Sequence, residues 1–324
     1  MTKRTHRIVR SVFAACVIAA AAGCTATGAM KHVPGGTPPP TGQTIYVANC
    51  GDSAITEYPA DANGNVAPKV TISGSSTGLN CPTGLAVDSS GELFAADVAQ
   101  GTVSVFAAGA SGNVAPIRQI TGITAPLGVA VDGAGNTFVT ASQSSDVLVF
   151  APGATGPAAP IRTIDTSPEG YTATDYLAFD PQGDLWVDDG TQNATALFAP
   201  SDNGPSNALQ SISGSTTQLD GAYGETVGSK GAIYVLSTGD ATLDVFKHTS
   251  DGNVPPARAI AGSATTFQSP ACLAITSADA VLVDDKTANA IDFFLKSANG
   301  NVAPAARIAG SSTMLDEPWG LAIH

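Results

Sequence analysis

From Gln43 onward the chain alternates short apolar runs with clusters of Gly, Pro, Asn, Asp and Ser. Pro82–Gly122 shows the pattern: PTGLAVDSSGELFAADVAQGTVSVFAAGASGNVAPIRQITG. GLAVD is an apolar run, DSSG a turn, ELFAAD a second run and VAQG a second turn. TVSVF then alternates, with Val103 and Val105 on one face and Thr102, Ser104 and Phe106 on the other. After a longer turn, IRQI closes the unit. Period-two alternation bounded by turn residues predicts four antiparallel strands.

The unit repeats. GNVAP occurs at Gly64, Gly112 and Gly300, with GPAAP at Gly156, GPSNA at Gly204 and GNVPP at Gly252. The intervals are 48, 44, 48, 48 and 48 residues. Tyr58, Phe106, Phe150, Phe198, Phe246 and Phe294, each the last aromatic ahead of the phrase, keep the same spacing. Six units of four short strands predict an all-β, six-bladed β-propeller. The phrase is expected to turn the chain between third and fourth strands, with Gly at positive φ and Asn tolerating a left-handed backbone. The chain ends PWGLAIH, which matches a first strand, and the repeats open at QTIYVAN, which matches a second. The last seven residues should therefore complete the N-terminal blade and close the ring.

PTGLAVDSSGELFAAD and APLGVAVDGAGNTFVT resemble NHL repeats, and Gln43–His324 resembles a propeller of the NHL or gluconolactonase-like kind. That resemblance implies a fold more than an activity. Gluconolactonase-like enzymes hold a divalent metal with Glu, Asn and Asp in the channel. Streptogramin-lyase-like propellers depend on a channel His. Here His6 and His32 precede the repeats, His248 follows a third strand and His324 is the last residue. None falls at the expected channel mouth, which weighs against a His-based nucleophile or metal site.

The N-terminus is different in kind. Lys3, Arg4, Arg7 and Arg10 precede the apolar run SVFAACVIAAAA, as in a secretory signal peptide. AAGC at Ala21–Cys24 resembles a bacterial lipobox, with Ala21 where that motif usually has Leu. The resemblance implies cleavage after residue 23 and lipidation of Cys24. Residues 24–42, rich in Gly, Thr and Pro, read as a disordered tether. The reading therefore divides the chain into 1–23, 24–42 and 43–324. Charged residues make up 13 % of the chain, Gly and Pro number 35 and 21, and the net charge is −13. Removing the four N-terminal bases takes it to −17, which argues against nucleic-acid binding. The expected setting is the bacterial cell envelope, with a lipid as the only membrane attachment.

Alignment of the units places Asn49, Asp97, Ala141, Asp189, Ser237 and Asp285 at the ends of second strands, on the face that carries the blade-joining loops. The acids there suit calcium or another divalent cation, or hydrogen bonding within their own turns. Asp188 and Asp284 double the acid in two units. First strands open on a varied pair: Thr83-Gly84, Leu127-Gly128, Asp175-Tyr176, Tyr223-Gly224, Ala271-Cys272 and Trp319-Gly320. Such variety suggests a lined mouth. Glu225 stands where other units have Leu or Val; either it marks a site or a register shift turns it to solvent. The connection Ile120–Pro126 is four residues short and should notch the rim. Cys50 and Cys81 fall on adjacent blades of this face and are expected to form a disulfide, leaving Cys272 as a buried thiol. The candidate ligand-binding set is Asn49, Asp97, Asp175, Tyr176, Asp189, Tyr223, Glu225, Asp285 and Trp319. The expected function is a monomeric binding module for an envelope protein, peptide or glycan. The alternative is a metal-assisted hydrolase or lactonase using Glu225 with Asp175, Asp189 or Asp285.

Overall fold

The computed structural model describes residues 42–324; the signal segment, Cys24 and nearly all of the tether lie outside the described residues. The repeats form six four-stranded antiparallel blades. Blade 2 runs outward from the centre as Pro82–Val87, Leu93–Asp97, Thr102–Phe106 and Arg118–Thr121. Blades 3, 5 and 6 begin at Pro126, Ala222 and Pro270, and the strand bonding of blade 4 begins at Leu177. Blade 1 takes Thr44–Asn49, Ala54–Pro59 and Val70–Ile72 from the N-terminal side and its inner strand, Pro318–Ile323, from the C-terminus. Val47 sits opposite Leu321 in that pairing. The inner strands of neighbouring blades pack in order around a closed ring. The blade count and the closure both match the spacing of the repeats.

The alternation in TVSVF serves two interfaces rather than a core and a solvent face. Val103 and Val105 pack with Val129 and Phe150 of blade 3, while Phe106 packs with Ile55 and Ile72 of blade 1. The six buried clusters each lie chiefly between two adjacent blades, so second and third strands are buried on both sides. Tyr58 and its five Phe equivalents are all at most 1 % exposed, and loss of such a ring costs about 3–5 kcal/mol.

The repeated phrase does more than turn. Its Gly has positive φ in all six units, as expected, but Asn65, Asn113, Asn253 and Asn301 do not. The expectation for Asn is corrected: these side chains act on the neighbouring blade. Gly112 pairs with Ile72 of the preceding outer strand, and the same parallel bridge recurs at every junction. Beyond it, Asn113 Oδ1 accepts the Ser76 N–H at 2.7 Å; Asn253, Asn301 and Asn65 do the same for Thr216, Ala264 and Ser312. The asparagine packs directly against Gly74, Gly214, Gly262 or Gly310, where a Cβ would meet it at under 3 Å. Where Pro157 and Pro205 replace the Asn, the Gly-Ser-x-Thr partner segment of the preceding unit is also gone. Asn113→Ala is expected to lower stability by about 1 kcal/mol in urea denaturation, the net worth of one such bond.

Cys50 and Cys81 form the disulfide, joining blade 1 to the start of blade 2 beside the ring closure. In the short connection after Ile120, Ile123 is buried and its N–H donates to Gly101 O at 3.0 Å.

Candidate functional site

The varied pairs at the head of the inner strands mark an irregularity in the sheet. Register shifts between Pro82 and Leu85, Pro126 and Val129, Ala222 and Glu225, and Pro270 and Leu273; in blade 1 the extra residue is Trp319. A bulge bends the strand toward the axis and re-aims its side chains. It also brings neighbouring backbones together. A Cβ at Gly84 would lie 2.4 Å from Leu127 O, and one at Gly320 would lie 1.5 Å from Thr83 O. Glycine therefore stands at this position in four of the six inner strands, as Gly84, Gly128, Gly224 and Gly320.

Blades 4 and 6 carry Tyr176 and Cys272 at that position instead. There the doubled acids find their use. Asp188 accepts the Tyr176 N–H at 2.5 Å and, across to blade 5, the Gly224 N–H at 2.7 Å. Asp284 accepts the Cys272 N–H at 2.6 Å, while its Oδ2 is buried without a partner. Burial pushes both carboxyls well above the usual range.

The acids at the ends of second strands point into the adjoining loops. Asp97 accepts from the backbone of Asn80, Cys81 and Gln100. Asp189 accepts from Thr172, Ala173, Thr191 and Gln192, and Asp285 from Gln268, Ser269 and Ala288. Asn49 bonds Thr56 Oγ1 and accepts the Asp316 N–H. These four side chains tie each turn to the loop arriving from the previous blade, and the structure does not bring them together. Among the described residues no three His, Cys, Asp or Glu side chains converge closely enough to hold a metal ion.

Tyr176, Tyr223 and Trp319 do come together, at the channel mouth. Tyr176 spans the axis and donates from its hydroxyl to Trp319 O of the opposite blade at 2.7 Å. Tyr223 packs edge-on against it, with ring centroids 5.3 Å apart. Lys286, which the sequence reading did not single out, lays its ammonium 4.3 Å from the Trp319 ring centre and 5.9 Å from that of Tyr223. Burial lowers its pKa, opposed by Asp284 and Glu317 nearby. Trp319 Nε1 faces the Tyr223 hydroxyl without a hydrogen bond of good geometry. Asp175 borders this group; burial pushes its carboxyl up to about 6, with the Gly190 N–H holding it down. One signal for Lys286 was available: it is the only Lys or Arg in the described loops of this face.

Below the Tyr176 ring lies a cavity of about 40 Å³ lined by residues of every blade, including Leu85, Val129, Glu225, Cys272 and Leu321. It has room for one or two waters and no more. Glu225 is 5 % exposed, so its strand does not turn it to solvent. Its Oε2 accepts from Thr195 Oγ1 at 2.5 Å; its Oε1 has no partner. Burial pushes it up to about 8, and its charge adds to the burial that raises Asp188. Asp188, Thr195 and Glu225 stand where the blade 2–3 junction has Ala96, Val103 and Val129, so one interface has become polar in concert. A larger cleft of about 390 Å³ lies on the opposite face between blades 3 and 4, beside Val131 and Phe179. Its Asp132 is occupied by its own turn, accepting from Ala134 and Asn136.

Fold and site define a six-bladed β-propeller whose channel is barred by a tyrosine beneath an aromatic mouth. No protein family matches the chain, and no curated protein does either. Solved structures do match. The nidogen/laminin complex chain is 14 % identical at a TM-score of 0.59, over 87 % of this chain and 98 % of that one. Apo AztD from Citrobacter koseri is 12 % identical at 0.54, over 88 % and 98 %. A catalytically inactive virginiamycin B lyase from Staphylococcus aureus with quinupristin is 13 % identical at 0.52, over 79 % and 85 %. At such identities the likeness shows the propeller fold.

Proposed function

We propose that this protein is an exported, lipid-anchored propeller of the bacterial envelope that binds a partner, a protein, peptide or glycan, through its loop-bearing face. The observation that carries the reading is the convergence of Tyr176, Tyr223, Trp319 and Lys286 from four blades at one mouth. Aromatic rings with polar tips dominate the anchors of recognition surfaces. The bar across the channel confines a ligand to that mouth, since the space beneath holds only water-sized molecules. The basic and apolar start of the chain and Cys24 support export and anchoring, and two or more acyl chains would hold it stably. The test is affinity capture from envelope extract by residues 24–324 and by the Tyr223→Ser/Trp319→Ser variant. A partner retained by the first and lost by the second is expected. Equal retention by both overturns the reading.

A second reading, a metal-assisted hydrolase or lactonase, draws on one observation: the unpartnered Glu225 oxygen beside the channel cavity. It requires calcium or magnesium to raise the melting temperature and Glu225→Gln to abolish that rise. A flat response to both ions removes it.

A further inference from the structure

The mouth carries a cation of its own. Lys286 forms no ion pair among the described residues, yet its ammonium lies over Trp319 and Tyr223 beside Asp284, whose buried Oδ2 is unpartnered. Acids also stand in the loops that lead into and out of these blades. Asp316 and Glu317 precede Trp319 in the chain; burial raises the Asp316 carboxyl most, and Asp52 and Glu317 beside it add to the rise. Asp220 and Asp240 sit as a second pair in the loops of blade 5. Two aromatic faces, an unpaired buried carboxyl oxygen that can accept a hydrogen bond, and acids in the adjoining loops form a receptor for an organic cation. Lys286 sits on a flexible four-carbon stem and is half-buried, so it can withdraw toward solvent.

We propose that the sector formed by blades 5, 6 and 1 takes a lysine or arginine side chain from a basic segment of a partner protein, in the place Lys286 fills in the free molecule. The inference rests on the binding-module reading and names the chemistry of its partner. Lys286 then acts as an internal competitor, a role opposite to that of an anchor for an anionic ligand. The net charge adds long-range attraction for a basic segment.

The experiment is a fluorescence titration of residues 24–324 with two synthetic nine-residue peptides, one bearing three Arg among Gly and Ser, the other three Asp. Trp319 reports directly, because the other tryptophan, Trp186, is 1 % exposed. The basic peptide should bind and the acidic one should not. Lys286→Met should tighten binding about fivefold by removing the competing cation. Asp316→Asn/Glu317→Gln should weaken it about tenfold, and more at low salt than at high. Trp319→Leu, checked for folding by its thermal melt and titrated by calorimetry because it lacks the fluorescent reporter, should abolish it. Weaker binding by Lys286→Met, preference for the acidic peptide, or no binding of either peptide by any variant overturns the proposal. If envelope capture still depends on Tyr223 and Trp319 while the basic peptide fails, the cation site falls and the binding-module reading stands. If capture also fails to depend on them, both fall.

Discussion

Gly320→Ala is expected to prevent the ring from closing. The added methyl carbon would sit 1.5 Å from the backbone oxygen of Thr83, where no side-chain adjustment can relieve the overlap. Gly320 lies in the C-terminal strand that completes blade 1, opposite Ala48, and the strand would have to move by more than an ångström from its neighbour in blade 2. Overpacking of this kind usually costs about 1–3 kcal/mol; against rigid backbone at the closure the expected cost exceeds about 4 kcal/mol. Gly133→Ala is the control, since that Cβ would meet nothing within 4 Å and the backbone there is not left-handed. Denaturant titrations of the two variants against the parent make the comparison. If Gly320→Ala unfolds within about 1 kcal/mol of the parent, the C-terminal strand does not pack against Thr83 as described.

Glu225→Gln is expected to change how stability depends on pH. In the folded protein burial holds the Glu225 carboxyl at about 8, against 4.5 for an ordinary glutamate. A carboxyl whose folded pKa is raised is protonated in the folded state and ionised in the unfolded one throughout that window. Stability is therefore full below about pH 4.5 and falls as pH rises to about 8, by up to about 1.4 kcal/mol per pH step. The neighbouring Asp188 shares the titration, so the whole loss is a few kcal/mol. Glutamine keeps an acceptor for Thr195 and carries no proton to lose. The variant should match the parent near pH 4.5 and exceed it by roughly 2–4 kcal/mol at pH 8 in urea. Asp175, held at about 6, and Asp244 and Asp292, at about 7, titrate in the same direction in both proteins, so the difference between the two curves reports Glu225 together with the Asp188 carboxyl it acts on. Parallel curves from pH 5 to 8 would rule out a buried, protonated Glu225.

Much of the architecture was legible because it repeats. A 48-residue period carried by the Gly of each phrase and by Phe106 and its equivalents can arise only if each unit meets its neighbour in the same way. The match of PWGLAIH to a first strand located the closure, and the placing of two cysteines on one face of adjacent blades, with the expectation of an oxidising compartment, located the disulfide. The candidate site was legible in part. Tyr176, Tyr223 and Trp319 were singled out because they vary where the repeat is otherwise monotonous, and they do meet. Asp97, Asp189 and Asp285 share a repeat position for a different reason: each holds the same loop in its own unit. Their period signalled a shared structural task.

What the sequence determined by itself is whatever depends on neighbours within one unit or on the regular relation of one unit to the next: strands, turns, the number of blades and the closing splice. Only the tertiary structure decided which side chains meet across the axis. Tyr176 reaches a carbonyl 143 residues away, and Lys286 lies over rings from two other blades. Bulges interrupt the inner strands of five blades, and a two-residue alternation does not foretell how a bulge aims the side chains beside it. The role of Asn113 shows the same limit. Its φ could be guessed from Gly-Asn, but the N–H it accepts belongs to the preceding blade and exists as a partner only once the blades are packed.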